Sequence, residues 1–157
     1  MDAKYLAAAI IVGAANWFVS ALAAAQVDPC SLLTSAQVGA ALGTQVGDGK
    51  HLASTVCEWA EAQPGGRKKL DVTLLTEPGF TAAKTPVGGI ITKTPVSGVG
   101  DDAVFATTGK VSAGLSVKKG GTMFTVRVLG VPLDQPQAVN DVEAKEKALA
   151  LQIASKL

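Results

Sequence analysis

The stretch VSAGLSVKKGGTMFTVRVL, residues 111–129, reads as two strands joined by a turn. Phe124, Val126 and Val128 recur at every second position in its second half, with Met123, Thr125 and Arg127 between them. Side chains two apart on a strand share a face, so this run carries one continuous apolar face. Lys119-Gly120-Gly121 supplies the turn. The pattern predicts strands over 111–117 and 122–129, and Gly109-Lys110 links the first of them to another strand over 103–106. Further upstream, runs at 56–61 and 70–75 flank Pro64-Gly65-Gly66 as a hairpin, with Leu70, Val72 and Leu74 on one face. Between the two groups, residues 76–98 hold Pro78, Pro86, Pro95 and four glycines, which predicts a crossover with a helical turn around 80–84.

Helices bracket these strands. Thr34-Ser35-Ala36-Gln37 is a capping box, Val38, Ala41 and Leu42 follow at helical spacing, and Gly43 is placed to stop a helix over 35–42. Residues 44–54 are polar and glycine-rich, a loop with at most a short strand. Pro132 and Pro136 end the sheet region. From 137 to 156, Val142, Leu149 and Ile153 form a stripe with Val139 and Leu157 near it, and Asp141, Glu143, Lys145, Glu146 and Lys147 are assigned to the remaining surface. The expected fold is α+β: a mainly antiparallel sheet of about five strands, with a short N-terminal helix and a long C-terminal helix packed on one face.

The chain has 157 residues, 48% of them apolar, and a net charge of +1, which leaves room for one domain. So small a net charge gives no field to gather nucleic acid, and so apolar a chain is not disordered. Residues 1–25 match an export signal: Lys4 gives a weak positive start diluted by Asp2, an apolar run follows, and Ala23 and Ala25 precede a cleavage point before Gln26. The rival is an uncleaved anchor, since the run is long enough to span a bilayer. The expectation is a single domain over 26–157, periplasmic or secreted, with no membrane span once the signal is removed.

Cys30 and Cys57 are the two cysteines. An even count in an exported chain favours a disulfide. A bridge between positions 27 apart contributes about 3.5 kcal/mol in the chain-entropy picture. The alternatives are a metal pair or a catalytic thiol. Zinc needs more ligands than two cysteines and His51 supply, and His51, the lone histidine, is the base a nucleophilic cysteine would require.

Three segments together resemble the bacterial exported proteins of domain-of-unknown-function family 3558: Asp28-Pro29-Cys30 before the first helix, Cys57-Glu58-Trp59 in the first strand, and Val96-Ser97-Gly98-Val99-Gly100-Asp101-Asp102-Ala103 before the third. The resemblance covers about residues 28–155. That family is marked by DPC and CEW motifs and is often described as lipoproteins. It implies an extracytoplasmic domain without an assigned activity, and it supports the disulfide. Val27-Asp28-Pro29 before Cys30 is not a lipobox, so a lipid anchor is not implied here. The motifs also have a structural reading. Cys57 and Trp59 face the core, Glu58 faces away, and Pro29 holds Asp28 extended.

No other pattern carries a specific chemistry. Gly98-Val99-Gly100 lacks the Lys-Ser/Thr end of a phosphate loop and reads as a tight turn. Asp101 and Asp102 are adjacent, so in a strand they point apart; in a loop they would converge, with Asp48 as a third oxygen donor. No G-x-S-x-G elbow accompanies the serines. Arg67-Lys68-Lys69 and Lys118-Lys119 are basic clusters at two hairpin ends, a patch for an acidic partner if they meet and solvated tips if they do not. The expectation is a non-catalytic binding or accessory domain of the envelope, without cofactor or metal, engaging another envelope protein or a small extracytoplasmic ligand. The alternatives are a secreted inhibitor or immunity-type protein and a small periplasmic hydrolase using Asp101, Asp102 or His51.

Overall fold

A computed structural model describes residues 27–109, 111–131 and 136–157. Residues 1–25, read above as an export signal, lie outside them, as do Lys110 and Pro132. A 3₁₀ turn at Pro29–Ser31 precedes α1 (Ser35–Leu42), and the chain continues through β1 (Lys50–Ala53), β2 (Val56–Ala60), β3 (Lys69–Leu75), α2 (Glu77–Lys84), β4 (Ile91–Pro95), β5 (Asp102–Thr108), β6 (Val111–Lys119), β7 (Thr122–Leu129) and α3 (Pro136–Ala154). The seven strands form one sheet in the order β1-β2-β3-β7-β6-β5-β4, with every neighbouring pair antiparallel. Two meanders therefore meet at β3 and β7, and the segment after β3 travels to the far edge before the chain winds back.

The alternation of β7 sets the core. Phe124, Val126 and Val128 are buried, as are Leu70 and Val72 of β3, Cys57 and Trp59 of β2, and Leu115 and Val117 of β6. They join one cluster with Val38 and Leu42 of α1 and Val142, Leu149, Ala150 and Ile153 of α3. Helices α1 and α3 thus cover the same face of the sheet, and each buried aliphatic side chain contributes about 1.5–3 kcal/mol. The capping box is formed: Thr34 Oγ1 accepts the Gln37 N–H at 3.2 Å, and Gln37 Oε1 accepts the Thr34 N–H at 2.9 Å. The Lys156 ammonium donates to the Leu32 carbonyl at 2.7 Å, tying the end of the chain to the approach of α1.

The sheet is larger than the expected five strands, and the two additions are its edges. Strand β1 is exposed along its whole length, so it carries no apolar alternation to read. Strand β4 ends in Pro95, which an edge tolerates because the missing N–H has no ladder partner to serve. The crossover turn is a full helix, α2, begun by Thr76, whose hydroxyl oxygen accepts the Gly79 N–H at 3.3 Å. It touches β3, β5, β6 and β7 on the face opposite α1 and α3, and buries Phe80 where Val104 and Met123 are buried too. Among the described residues no helix is long and apolar enough to cross a membrane.

One assignment is corrected. Glu146 is not on the surface of α3 but fully buried, and its Oε1 accepts the Val128 N–H at 2.9 Å. The pairing of β6 with β7 ends at Leu115 and Val126, where Gly114 takes a φ of +113°. Val128 extends beyond that ladder, and a carboxylate from the helix above takes the place of the missing strand.

Candidate functional site

The most chemically dense corner lies where the 3₁₀ turn meets β1 and β2. Asp28 starts the turn, its Oδ1 accepting the Cys30 N–H at 2.9 Å. Cys30 and Cys57 are joined by a disulfide across 27 residues, with Cα atoms 5.1 Å apart. Cys57 is fully buried beside Trp59, and Gly49 closes over both: a Cβ there would sit 2.8 Å from Cys57 Sγ and from Trp59 Cε2. Within the β1–β2 ladder His51 is directly opposite Cys57. Its Nε2 lies 3.3 Å from Asp28 Oδ1, with both side chains about half exposed. Val27, Asp28, Pro29, His51 and Ser54 line a hollow of about 240 Å³. The sequence pattern places His51 in a loop with at most a short strand; the strand that aims it at Asp28 is the exposed edge strand that carries no alternation.

A second cluster forms under α2. Lys118 Nζ lies 3.0 Å from both oxygens of Glu77, and Lys84 pairs with Asp102. Asp101 Oδ2 accepts the Gly120 N–H at 2.6 Å, and Lys119 Nζ is 3.4 Å from Oδ1. The Gly120 N–H, seconded by Lys119, holds the Asp101 carboxyl below its ordinary value. The adjacent carboxylates therefore serve different elements, Asp101 the β6–β7 turn and Asp102 the helix, and do not converge. Asp48, the third donor considered, accepts from Ser35 at the start of α1 at 3.1 Å. His51 belongs to β1 and Asp102 to β5, five strand spacings apart in the sheet, about 24 Å.

Gly98-Val99-Gly100 is a turn that drives Val99 into the core. Gly100 has a φ of +63°, and a Cβ on it would come 2.5 Å from the Lys118 carbonyl oxygen. Only glycine fits that approach.

The basic clusters do not meet. Lys69 pairs with Leu129 at one end of the β3–β7 ladder, and Leu75 with Met123 at the other, where Lys118 pairs with Met123 in turn. Four of the five residues are also engaged: Lys118 and Lys119 as described, Lys68 Nζ on the Leu42 carbonyl at the end of α1 at 3.2 Å, and Lys69 Nζ on Glu58 at 3.0 Å. The turn carrying Arg67 is organised by Glu61, a residue that sequence reading passed over. Its carboxylate accepts the Thr44 hydroxyl at 2.8 Å and the Arg67 and Lys68 N–H groups at 3.0 and 3.3 Å, and these bonds, Thr44 first, lower its pKa.

A third region is the part of the sheet face that α2 leaves open. Glu58, Asp71 and Arg127 stand side by side there on β2, β3 and β7. Arg127 Nη2 donates to Asp71 Oδ2 at 3.0 Å. Asp71 is nearly buried, and its Oδ1 has no hydrogen-bond partner among the described residues. Thr73 and Thr125 continue the strip, half-buried. Alternation alone marks this face as polar, but the burial of Asp71 comes from its neighbours and has no local signature.

No protein-family model matches the chain, and no curated protein and no solved structure matches it either.

Proposed function

We propose that the chain is an extracytoplasmic, non-catalytic binding domain, a member of the family its DPC and CEW motifs resemble, and that it engages an envelope protein through the open sheet face around Asp71. The observation that carries this reading is the Glu58–Asp71–Arg127 row. A nearly buried carboxylate there retains an acceptor oxygen without a donor, on a sheet face that α1 and α3 do not cover. An unsatisfied buried acceptor costs about 1–3 kcal/mol, and a donor from a partner removes that cost once the side chains around Asp71 move aside to admit it. The catalytic alternatives find less support, because Asp101 and Asp102 are each committed to structural contacts and His51 is far from both. The disulfide supports an oxidising compartment.

The test is site-specific photo-crosslinking in envelope extract. A photoreactive residue at Thr73, beside Asp71, is expected to capture one protein, and the same residue at Lys145 on α3 is expected to capture none. Capture from Lys145 alone, or no capture from either position, overturns the assignment of this face.

A further inference from the structure

We infer that reduction of the Cys30–Cys57 bridge turns the corner between the 3₁₀ turn and β1–β2 into a zinc site, with Cys30, Cys57, His51 and Asp28 as its four ligands. From sequence, two cysteines and His51 fall one ligand short of a closed tetrahedral site. The fold supplies the fourth. One ligand atom from each of Asp28, Cys30 and His51 lies within 4.8 Å of the others, and Cys57 Sγ is bonded to that of Cys30. Two ligand atoms bound to one tetrahedral zinc at about 2.0–2.1 Å are about 3.3–3.4 Å apart. His51 Nε2 and Asp28 Oδ1 are 3.3 Å apart, longer than the ~2.7–2.9 Å of a strong charge-assisted hydrogen bond and matched to that tetrahedron's edge. The two sulfurs must separate to about 3.8 Å, which a change of the Cys30 side-chain rotamer on its short turn has to supply.

The surroundings fit as well. The Cys30 N–H bonded to Asp28 orients the carboxylate, as partners of metal ligands do. His51 is held opposite Cys57 by the β1–β2 ladder. The hollow lined by Asp28, His51 and Ser54 gives the ion a way in to the carboxylate and the imidazole.

The chemistry balances. A dithiol reductant transfers two electrons and two protons: the Cys30–Cys57 bond breaks, both sulfurs become thiols, and the reductant's own thiols join as a disulfide. Zinc then displaces the two thiol protons and is held by two thiolates, one imidazole and one carboxylate. The same corner thus stays crosslinked in either state, by a sulfur–sulfur bond when oxidised and by the metal when reduced. A disulfide oxidant reverses the exchange: it takes two electrons from the two thiolates and becomes a dithiol, the Cys30–Cys57 bond re-forms, and the ion is released.

Zinc affinity, measured by competition with a chromophoric chelator on oxidised and phosphine-reduced protein, tests this. The reduced protein is expected to bind one equivalent, and the oxidised protein none under the same competition. His51→Ala and Asp28→Asn are each expected to weaken binding at least about tenfold; the latter keeps the oxygen that accepts the Cys30 N–H. Cobalt in place of zinc is expected to give the spectrum of a tetrahedral two-thiolate site. If reduction unfolds the chain, zinc is expected to restore the native circular dichroism and melting transition. Equal affinity in the reduced wild type and both variants means that two thiols act alone, and overturns the site. So do equal binding by the oxidised protein and failure of zinc either to bind or to refold the reduced chain. Melting of the oxidised variants separates a lost ligand from a lost fold.

Discussion

The two ends of the sheet hold their flanking segments by opposite means. Near β1 and β2, the 3₁₀ turn is fixed by a covalent bond, Cys30–Cys57, with Trp59 and Gly49 packed around it. Across the sheet, α2 is fixed by one buried ring, Phe80, and by ion pairs from Glu77 to Lys118 and from Lys84 to Asp102 at the surface. The first arrangement answers to redox conditions, and its covalent bond is indifferent to salt. The second is the reverse, because exposed ion pairs are screened. One small domain therefore has two ends that loosen under different stresses.

The sharpest way to break this contrast is to remove the bridge. Replacing Cys30 and Cys57 together by alanine is expected to cost about 2–5 kcal/mol in urea unfolding, and reductant without added zinc is expected to do the same to the wild type. A bridge without effect on stability would leave the two ends equivalent. Glu146→Ala strikes between the ends. It strands the buried Val128 N–H and is expected to cost about 1–3 kcal/mol without changing the response to salt or reductant. Glu77→Gln is expected to cost about 0.2–1 kcal/mol, read as faster hydrogen exchange confined to α2, with the difference from wild type shrinking as salt rises. Faster exchange at the 3₁₀ turn instead would erase the distinction.

The smallest effect is on acid stability. The hydrogen bonds to Glu61 and Asp101 lower their folded pKa values below 4.5 and 3.8 respectively, so their contributions are complete above those values and are lost as pH falls through the lower folded ones. Glu61→Gln is expected to be less stable than wild type at neutral pH, with the gap closing as pH falls below 4.5. A gap that widens in acid reverses the sign and refutes the role given to the Thr44, Arg67 and Lys68 donors.

What could be read in the sequence follows the same contrast. Strand β7, the capping box of α1 and the stripe on α3 announce themselves because each must bury one periodic face. The cysteine pair is equally plain, since compartment and parity decide it. Strands β1 and β4 are not, because an edge strand needs no apolar period, and β4 sits among prolines. Glu146 is a different case: a charged side chain reads as surface even one turn from Val142, and no helical pattern says that a neighbouring strand leaves an N–H in need of a carboxylate. The site residues divide likewise. Asp28, Cys30, Cys57 and Trp59 stand in recognisable tripeptides, whereas the approach of His51 to Asp28 and the stranded oxygen of Asp71 depend on strand register, which no local pattern encodes.

The bond from Lys156 to the Leu32 carbonyl, across 124 residues, has a kinetic meaning. A chain made from its N-terminus produces α1 early and the helix that seals it last. Until α3 arrives, Val38 and Leu42 have only part of their final cover, and the pairing of β3 with β7 must likewise wait for the second meander. Closure over such long separations makes folding slow. During that wait the crosslink from Cys30 to Cys57, its two cysteines both present once the first 57 residues are out, is the covalent restraint available to keep the nascent half from straying.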